Sequence, residues 1–179
     1  MNAFRVYAFA CCAVVICLFC TVLGAQEPAS AEEGQFASAE GLVRDIYKSV
    51  SFTPDALPDW DKVRSMFIKQ AVVVLRTSRE ETTVFSVDGF VDDFVKFLER
   101  PDVRQAGFTE RVVRLKSTVY GDMAHVLVLY EASVTGSPRP PQQGVDSFQL
   151  IRKDGRWWIV SITNEIPTPK RPIPKELRD

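Results

Sequence analysis

Cysteine is missing from the chain beyond its first 25 residues. The four cysteines of the sequence all lie in one apolar run near the N-terminus, at Cys11, Cys12, Cys17 and Cys20. The rest of the chain can therefore form no disulfide, no thiolate metal site and no thiol nucleophile. It must rely on a hydrophobic core for its stability, and about 150 residues are enough to bury one.

The sequence also has only one histidine and almost no net charge. His125 is the only histidine, which rules out a metal centre built from several histidines and leaves one imidazole for any Ser-His-Asp triad. The 22 basic and 23 acidic residues nearly cancel, and no basic stripe is visible. Nucleic acid is therefore not an expected partner, and the sequence predicts neither a metal site nor a cofactor.

Residues 1–25 have the layout of a secretory signal peptide. Arg5 precedes an apolar run from Val6 to Leu23 that only Thr21 interrupts, and small residues follow it. Because about 18 apolar residues can span a bilayer, an uncleaved anchor is the alternative. The prediction is an exported protein, secreted or periplasmic. In the alternative, this segment anchors the protein in a membrane, and only then does the protein contact one.

The remaining chain reads as one domain between two polar segments. Residues 26–37 are predicted to be a linker, because small and polar side chains dominate there. Residues 38–166 are predicted to form a folded domain, and residues 167–179 a proline-rich tail. No internal repeat and no second domain are visible in the sequence.

The periodicity of apolar residues divides the domain into helices and strands. Helical spacing predicts one helix capped by Ser38, a short second helix after Pro58, and a third that starts at Ser86 or Asp88. Strand-like patterns are found over residues 71–78, 108–120, 123–134, 145–153 and 156–166. The order of these elements predicts an α+β fold with an antiparallel meander.

Two adjacent tryptophans, Trp157 and Trp158, must point to opposite faces of the last strand. The Asp-Gly pair just before this strand predicts a two-residue type I′ turn, which fixes the register of the hairpin. Phe148 and Ser161 then lie opposite each other on the face that also holds Trp157. We therefore predict that Trp157 enters the core and that Trp158 lies on the outer face.

The preceding hairpin supplies the other half of the inner face. A two-residue turn at Gly121-Asp122 places Arg111 opposite Ala132. The inner face is then apolar near the turns and polar at the opposite end. The polar end is predicted to hold the candidate ligand-binding residues Arg111, Tyr130, Asp146, Ser161 and Thr163.

The meander ends in "GRWWIVSI" and follows helices that contain "PDWDKVRSMF" and "VDGFVDDFVKFL". This pattern resembles the nuclear-transport-factor-2-like superfamily, also called SnoaL-like or ketosteroid-isomerase-like, in an exported, bacterial-type form. The resemblance covers about Ser38 to Glu165. It implies a cone in which a curved antiparallel sheet packs against three helices around an internal pocket.

The superfamily includes ketosteroid isomerase, scytalone dehydratase and many non-catalytic proteins, so the fold leaves the function open. The isomerase uses a carboxylate base near its first strand, whereas residues 71–78 contain no carboxylate. The dehydratase uses paired histidines, whereas His125 stands alone and is expected to face outward. The resemblance therefore implies the pocket but carries over neither catalytic set.

Arg111 and Asp146 form the most specific candidate pair in this pocket. They are predicted to anchor an anionic ligand, with the hydroxyl of Tyr130 as a further hydrogen-bonding group. A structural ion pair is one alternative, and Asp146 as a general base is another. The proline-rich segment from Thr135 to Gly144 is either a plain hairpin loop or a lid over the pocket.

Three functions are compatible with these residues. The first is a non-catalytic domain that binds a small apolar or anionic molecule, or a protein partner. The second is a lyase, isomerase or cyclase that acts on a small apolar substrate through Asp146 and Tyr130. The third is an interaction module that forms a homodimer through the outer sheet face around Trp158, Leu127 and Leu129.

Overall fold

The computed structural model describes residues 36–78 and 80–178 of the chain. The predicted signal peptide, residues 1–25, lies outside the described residues. So does the predicted linker, residues 26–37, except for its last two residues. Over the described residues, no helix combines the length and the apolar character needed to cross a bilayer.

Four α-helices and one short 3₁₀ helix are found in the described residues: α1 Ala39–Val50, α2 Trp60–Arg64, α3 Val87–Leu98, α4 Pro101–Ala106 and the 3₁₀ helix Lys175–Leu177. The two long helices begin as predicted. The hydroxyl of Ser38 accepts a hydrogen bond from the Gly41 amide at 3.0 Å, and that of Ser86 accepts one from the Gly89 amide at 3.1 Å. The sequence analysis did not predict α4. Proline disfavours a helix interior but is well suited to the first turn, where Pro101 lies.

Six strands form one sheet: β1 Phe67–Arg76, β2 Thr82–Ser86, β3 Phe108–Tyr120, β4 Met123–Val134, β5 Gln142–Lys153 and β6 Arg156–Glu165. The strand order is β2-β1-β6-β5-β4-β3. The α+β class is confirmed, but the sheet is mixed rather than antiparallel, because β1 runs parallel to β6. The edge strand β2 was not predicted, and β1 begins at Phe67 rather than at Ala71.

One face of the sheet is covered by helices, with α1 against β3, β4 and β6, and α3 against β1 and β2. Trp157 is 5% exposed within the core of this inner face, whereas Trp158 is only half-buried. The predicted orientation of the two tryptophans is therefore confirmed. The turn before them has positive φ at both Asp154 and Gly155, as a type I′ turn requires.

A β-bulge in β3 changes the register that the sequence predicted. Near the turn, Leu115 lies opposite Val128, as expected. Between Arg114 and Val112 one extra residue is inserted, and beyond it Arg111 lies opposite Glu131 instead of Ala132. The prediction that Arg111 faces inward is therefore wrong. A bulge of one residue reverses the face of every side chain beyond it.

A second bulge lies between β5 and β6. Leu150 and Ile159 are paired as predicted, but Val160 is inserted next, so that Phe148 lies opposite Ile162 and not opposite Ser161. Ser161 and Thr163 consequently leave the inner face, and that prediction is wrong as well. The bulge is favourable because apolar Ile162, 5% exposed, enters the core in place of a serine.

The proline-rich tail packs against the domain near its end. Leu177 is 1% exposed, and its 3₁₀ helix contacts β3. Leu129, on the outer face of the neighbouring strand β4, is 5% exposed. Leu129 and Leu177 both lie outside the core beneath the helices. The tail therefore buries part of the protein outside the main core.

Candidate functional site

A cavity of about 140 Å³ lies between α1, α3 and the inner face of the sheet. Most of its wall is apolar and aromatic: Ile46, Val50, Val73, Leu75, Phe90, Phe94, Phe148 and Ile162. The remaining lining residues carry polar groups: Tyr47, Arg76, Glu110, Tyr130, Asp146 and Asn164. The cavity thus combines a large apolar surface with a small number of polar groups, as small-molecule sites do.

Asp146 is the centre of the polar groups and is 8% exposed. One carboxylate oxygen accepts a hydrogen bond from the Tyr47 hydroxyl at 2.5 Å, and the other accepts one from the Asn164 amide at 2.7 Å. The same amide nitrogen also donates to the Tyr130 hydroxyl at 3.1 Å. Such donors are what a buried carboxylate needs to remain charged.

Three separate elements bring these groups together. Tyr47 projects from the buried side of α1, whose inward residues follow helical spacing. Asn164 lies opposite Asp146 across the β5–β6 pair because of the bulge at Val160. Without that extra residue, Thr163 would occupy the place that the asparagine amide takes.

Tyr130 reaches the cluster because Gly144 lies opposite it on β5. A β-carbon at Gly144 would lie 2.2 Å from Cζ of the Tyr130 ring and 2.3 Å from its hydroxyl oxygen. These distances are far below van der Waals contact. The ring therefore rests against the bare backbone of the glycine, and any larger residue there would displace it.

Glu110 lines the same cavity and was not predicted as a site residue. The bulge in β3 places it on the inner face, opposite Ala132, where the sequence analysis had placed Arg111. Ser51, which follows α1, holds this part of the strand: its hydroxyl accepts from the Glu110 amide at 2.9 Å and donates to the Glu110 carbonyl at 3.0 Å. Among the described residues, the half-buried carboxyl itself has no hydrogen-bond partner.

Burial changes the proton affinity of both carboxyls. It raises the pKa of Glu110 from 4.5 to about 8, and the negative charge of Asp146 adds to the effect. Burial also raises the pKa of Asp146 from 3.8 to about 6, although the hydrogen bonds from Tyr47 and Asn164 act in the opposite direction. Asp146, which accepts two hydrogen bonds, is therefore the more acidic of the two carboxyls, and Glu110 is the one that holds a proton more readily.

The two tyrosines remain protonated and serve as hydrogen-bonding groups. Burial raises the pKa of Tyr47, and the adjacent Asp146 raises it further through its charge and its hydrogen bond. Burial and the charge of Asp146 likewise raise the pKa of Tyr130. The cluster therefore contains one ionised carboxylate among neutral phenols and an amide.

Arg76 brings the nearest basic group to the cavity wall, but its charge is already paired. Its Nε and Nη2 atoms donate to the two oxygens of Glu165 at 3.0 and 3.4 Å. Arg171 from the tail also donates to Glu165, at 2.7 Å. Arg76 is thus held at the rim by Glu165, an acidic partner that it shares with Arg171.

A larger outer cleft of about 860 Å³ adjoins the cavity. The two share Leu75, Phe94, Glu110 and Tyr130 as lining residues, so Glu110 lies where the cleft meets the cavity. The proline-rich loop contributes residues 135–140 to the wall of the cleft. The loop thus lies beside the entrance, as expected, while its function as a lid stays a prediction.

The predicted site residues are divided between the two faces of the sheet. Tyr130 and Asp146 line the cavity. Arg111 lies outside and forms an ion pair with Glu131 at the surface. Neither Ser161 nor Thr163 lines the cavity. The structure therefore brings two of the five residues together and adds Tyr47, Glu110 and Asn164, which the sequence analysis missed.

The outer face holds the residues that were considered for other functions. His125 lies near Ser147, with 3.1 Å between Nε2 and the hydroxyl oxygen, and does not line the cavity. Trp158 lies beneath the guanidinium of Arg156, 3.6 Å from Cζ to the ring centroid. No group of three or more histidine, cysteine, aspartate or glutamate side chains within the described ranges is arranged to hold a metal ion.

Three solved structures show how far the fold extends to other proteins. An uncharacterised protein with a cystatin-like fold from Caulobacter vibrioides has a TM-score of 0.56 and 12% identity, over 73% of this chain and 88% of its own. A nuclear-transport-factor-2-like protein of unknown function from Pseudomonas putida has a TM-score of 0.56 and 10% identity, over 78% and 93%. A candidate scytalone dehydratase from Novosphingobium aromaticivorans has a TM-score of 0.55 and 12% identity, over 72% and 81%.

Sequence comparison adds nothing to these structural neighbours, because no protein-family model and no curated protein matches the chain. Identities of 10–12% establish a common fold and nothing about ligands or reactions.

Proposed function

Since the chain has the fold of the nuclear-transport-factor-2-like proteins, we propose that it is a non-catalytic domain that binds a small, largely apolar molecule in the inner cavity. The observation that carries this proposal is the cavity itself, about 140 Å³ with an apolar wall and the Asp146 cluster. An apolar cavity of about 150 Å³ in another protein is large enough to bind benzene. A benzene-sized group is therefore a suitable occupant.

Toluene provides a direct test of binding, because a ligand of the folded state raises the unfolding temperature. We expect saturating toluene to raise the Tm of the wild-type protein. Val73→Phe fills the cavity from β1 and should abolish this increase, whatever its effect on the Tm without ligand. Val84→Phe on β2 is the matched control, because Val84 is 67% exposed. An equal increase in both variants, or none in the wild type, would contradict the proposal.

An enzyme of the lyase, isomerase or cyclase type is the second candidate. It is favoured by two carboxyls with raised pKa values, Glu110 and Asp146, which line one cavity and exchange protons near neutral pH. Transfer of a proton to and from carbon would be visible as deuterium uptake by cyclohexanone in heavy water. Uptake that depends on both carboxyls would favour the enzyme, whereas uptake at the uncatalysed rate would favour binding alone.

We also propose that the domain acts outside the cytoplasm. The support is the apolar run of residues 6–23 and the small residues after it. Intact mass measurement of protein from the cell envelope and from the medium tests the proposal. Loss of about 25 N-terminal residues is expected for cleavage of the signal peptide, and full-length protein in the membrane fraction is expected for an anchor.

A homodimer through the outer sheet face is a separate proposal. Exposed apolar side chains on this face support the proposal. Met123 is 60% exposed and Ile151 is 38% exposed, and they lie beside half-buried Trp158. Leu129, by contrast, is already buried in the single chain. If the wild-type protein is a dimer, Trp158→Arg should reduce its mass in light scattering to that of a monomer, and an unchanged dimer mass would remove this face as the interface.

A further inference from the structure

The two carboxyls of the cavity form no ion pair with the arginine that lines it, because Arg76 binds Glu165 instead. Glu110 and Asp146 are the two acidic side chains of the cavity, and Arg76 is the one basic residue in its wall. The guanidinium of Arg76 is held by Glu165. The basic residue that was expected to face inward, Arg111, lies outside against Glu131. An anionic ligand would therefore meet an ionised carboxylate without a free cation.

The outer cleft does not reverse this charge balance. Its charged lining residues, apart from Glu110, are Asp93, Arg100, Asp102 and Arg139. Arg100 donates to Asp102 at 2.9 Å, so these two charges are paired, and Asp93 and Arg139 are of opposite sign. Apart from Glu110, the charged residues that line the outer cleft therefore sum to zero.

Aromatic rings add a second reason to expect a positive charge in the cavity. Its wall includes five of them: Tyr47, Phe90, Phe94, Tyr130 and Phe148. Their centroids lie close together, for example 5.7 Å for the two tyrosines and 5.8 Å for the two phenylalanines of α3. Ring faces attract cations, and quaternary ammonium ligands are commonly bound by several aromatic rings.

We propose that the natural ligand of the cavity is a small organic cation, an amine or quaternary ammonium group attached to an apolar body of about benzene size. This inference rests on the binding function proposed above. The apolar body packs against the wall formed by α1, α3 and β1. The ammonium group faces the carboxyls of Glu110 and Asp146 and the adjacent tyrosine rings.

A cation at this position must lower the proton affinity of Glu110. Its pKa of about 8 in the empty cavity reflects burial beside another acid. A positive charge within contact distance favours the ionised form, so binding releases a proton wherever Glu110 starts protonated. Affinity for a permanently charged ligand then rises with pH. If the ligand lowers the Glu110 pKa by about one unit, affinity rises about tenfold between pH 6 and pH 9.

Two ligands of the same shape test this inference. Phenyltrimethylammonium carries a charge that does not titrate, and tert-butylbenzene is its neutral counterpart. We expect the cation to bind the full protein more tightly than the hydrocarbon at pH 9 by about tenfold or more. Calorimetry in buffers of different ionisation enthalpy should show proton release for the cation at pH 7 and none for the hydrocarbon.

Glu110→Gln is the diagnostic variant, since it keeps the shape of a side chain that is mainly protonated at neutral pH. It should abolish proton release and remove most of the pH dependence of cation affinity. Glu131→Gln is the matched control on the outer face of the adjacent strand and should change neither. If Glu110→Gln does not fold, the wild-type protein still tests whether the ligand is a cation, through the comparison of the two ligands and the measurement of proton release.

The outcomes separate this inference from the function on which it rests. Equal binding of both ligands, unaffected by Glu110→Gln, would overturn the cationic ligand and leave the binding cavity in place. Binding of the hydrocarbon without binding of the cation would also overturn the cationic ligand and leave the binding cavity in place. If neither ligand binds protein shown to be folded but toluene does, the cationic ligand fails and the binding cavity stays in place. If toluene does not bind either, the binding function fails and the cationic ligand fails with it.

Discussion

Gly144 determines where the ring of Tyr130 lies, because a β-carbon at this position would overlap the ring. We expect Gly144→Ala to displace the tyrosine hydroxyl from Asn164 and to destabilise the fold by about 1–3 kcal/mol, as overpacking does. Urea unfolding measures this loss. Gly89→Ala is the control within α3, where alanine is a better helix former than glycine and should be neutral or stabilising. A neutral Gly144→Ala would contradict the close packing of the ring.

Tyr47 donates the shorter of the two hydrogen bonds to Asp146. Removal of the Tyr47 hydroxyl should therefore reduce the free energy of unfolding most when Asp146 is ionised. Tyr47→Phe removes this donor and raises the Asp146 pKa further above about 6. We expect a loss of about 2 kcal/mol in the free energy of unfolding at pH 8 and a smaller loss at pH 5.

Tyr130→Phe is the appropriate comparison for this variant. The Tyr130 hydroxyl accepts from Asn164 and does not bond the carboxylate. Removal of the Tyr130 hydroxyl should lower the free energy of unfolding by about the same amount at pH 5 as at pH 8. A Tyr47→Phe loss that is equal at pH 5 and pH 8 would show that the hydroxyl does not stabilise the ionised form of Asp146.

At the scale of the element, two bulged strands decide which residues enter the cavity. The strand ends near the Gly121-Asp122 turn and near the Asp154-Gly155 turn follow the predicted register, since the two-residue turns and the alternation of apolar residues specify it. Neither signal extends past an inserted residue. The sequence around Val113 and Val160 allowed both registers, because a β-branched apolar residue suits either face of a sheet.

A weak signal of the β6 bulge is visible in hindsight. Strict alternation from Trp157 and Ile159 would bury Ser161 and expose Ile162, which is unfavourable on both counts. For β3 the alternation gives no corresponding signal, because either register turns a charged residue inward, Arg111 without the bulge and Glu110 with it. Functional polar residues inside a core break the pattern from which burial is predicted.

The two carboxyls that the strands bury should make stability depend on pH. Their folded-state pKa values, about 8 for Glu110 and about 6 for Asp146, exceed the ordinary values of 4.5 and 3.8. Between about pH 4 and pH 8 these two carboxyls therefore hold more protons in the folded protein than in the unfolded chain, and their contribution to stability rises as pH falls through this range.

Glu110→Gln should flatten the upper part of that profile, between about pH 6 and pH 8, and leave the lower part to Asp146. Chemical unfolding at a series of pH values checks this, with Glu131→Gln as a control whose profile should follow the wild type. A difference in stability between the wild type and Glu110→Gln that stays constant between pH 6 and pH 8 would contradict the burial of Glu110.

At the scale of the whole molecule, the tail packs against β3, outside the main core. Leu177 is 1% exposed although it lies in the proline-rich tail over residues 167–179. We expect Leu177→Ala to cost about 2–5 kcal/mol, as buried leucines do. Leu57→Ala, at a leucine 50% exposed, is the control and should cost much less. Equal losses in urea unfolding would argue against a packed tail.

The central claim is that Glu110, and not Arg111, occupies the cavity beside Asp146. A carbon NMR titration of the glutamate carboxyls tests it most directly, with the Glu110 signal assigned by its absence in Glu110→Gln. The arrangement of the strands predicts a carboxyl that titrates at about pH 8. A Glu110 signal that titrates near the ordinary value of 4.5 would place this side chain in water and contradict the account.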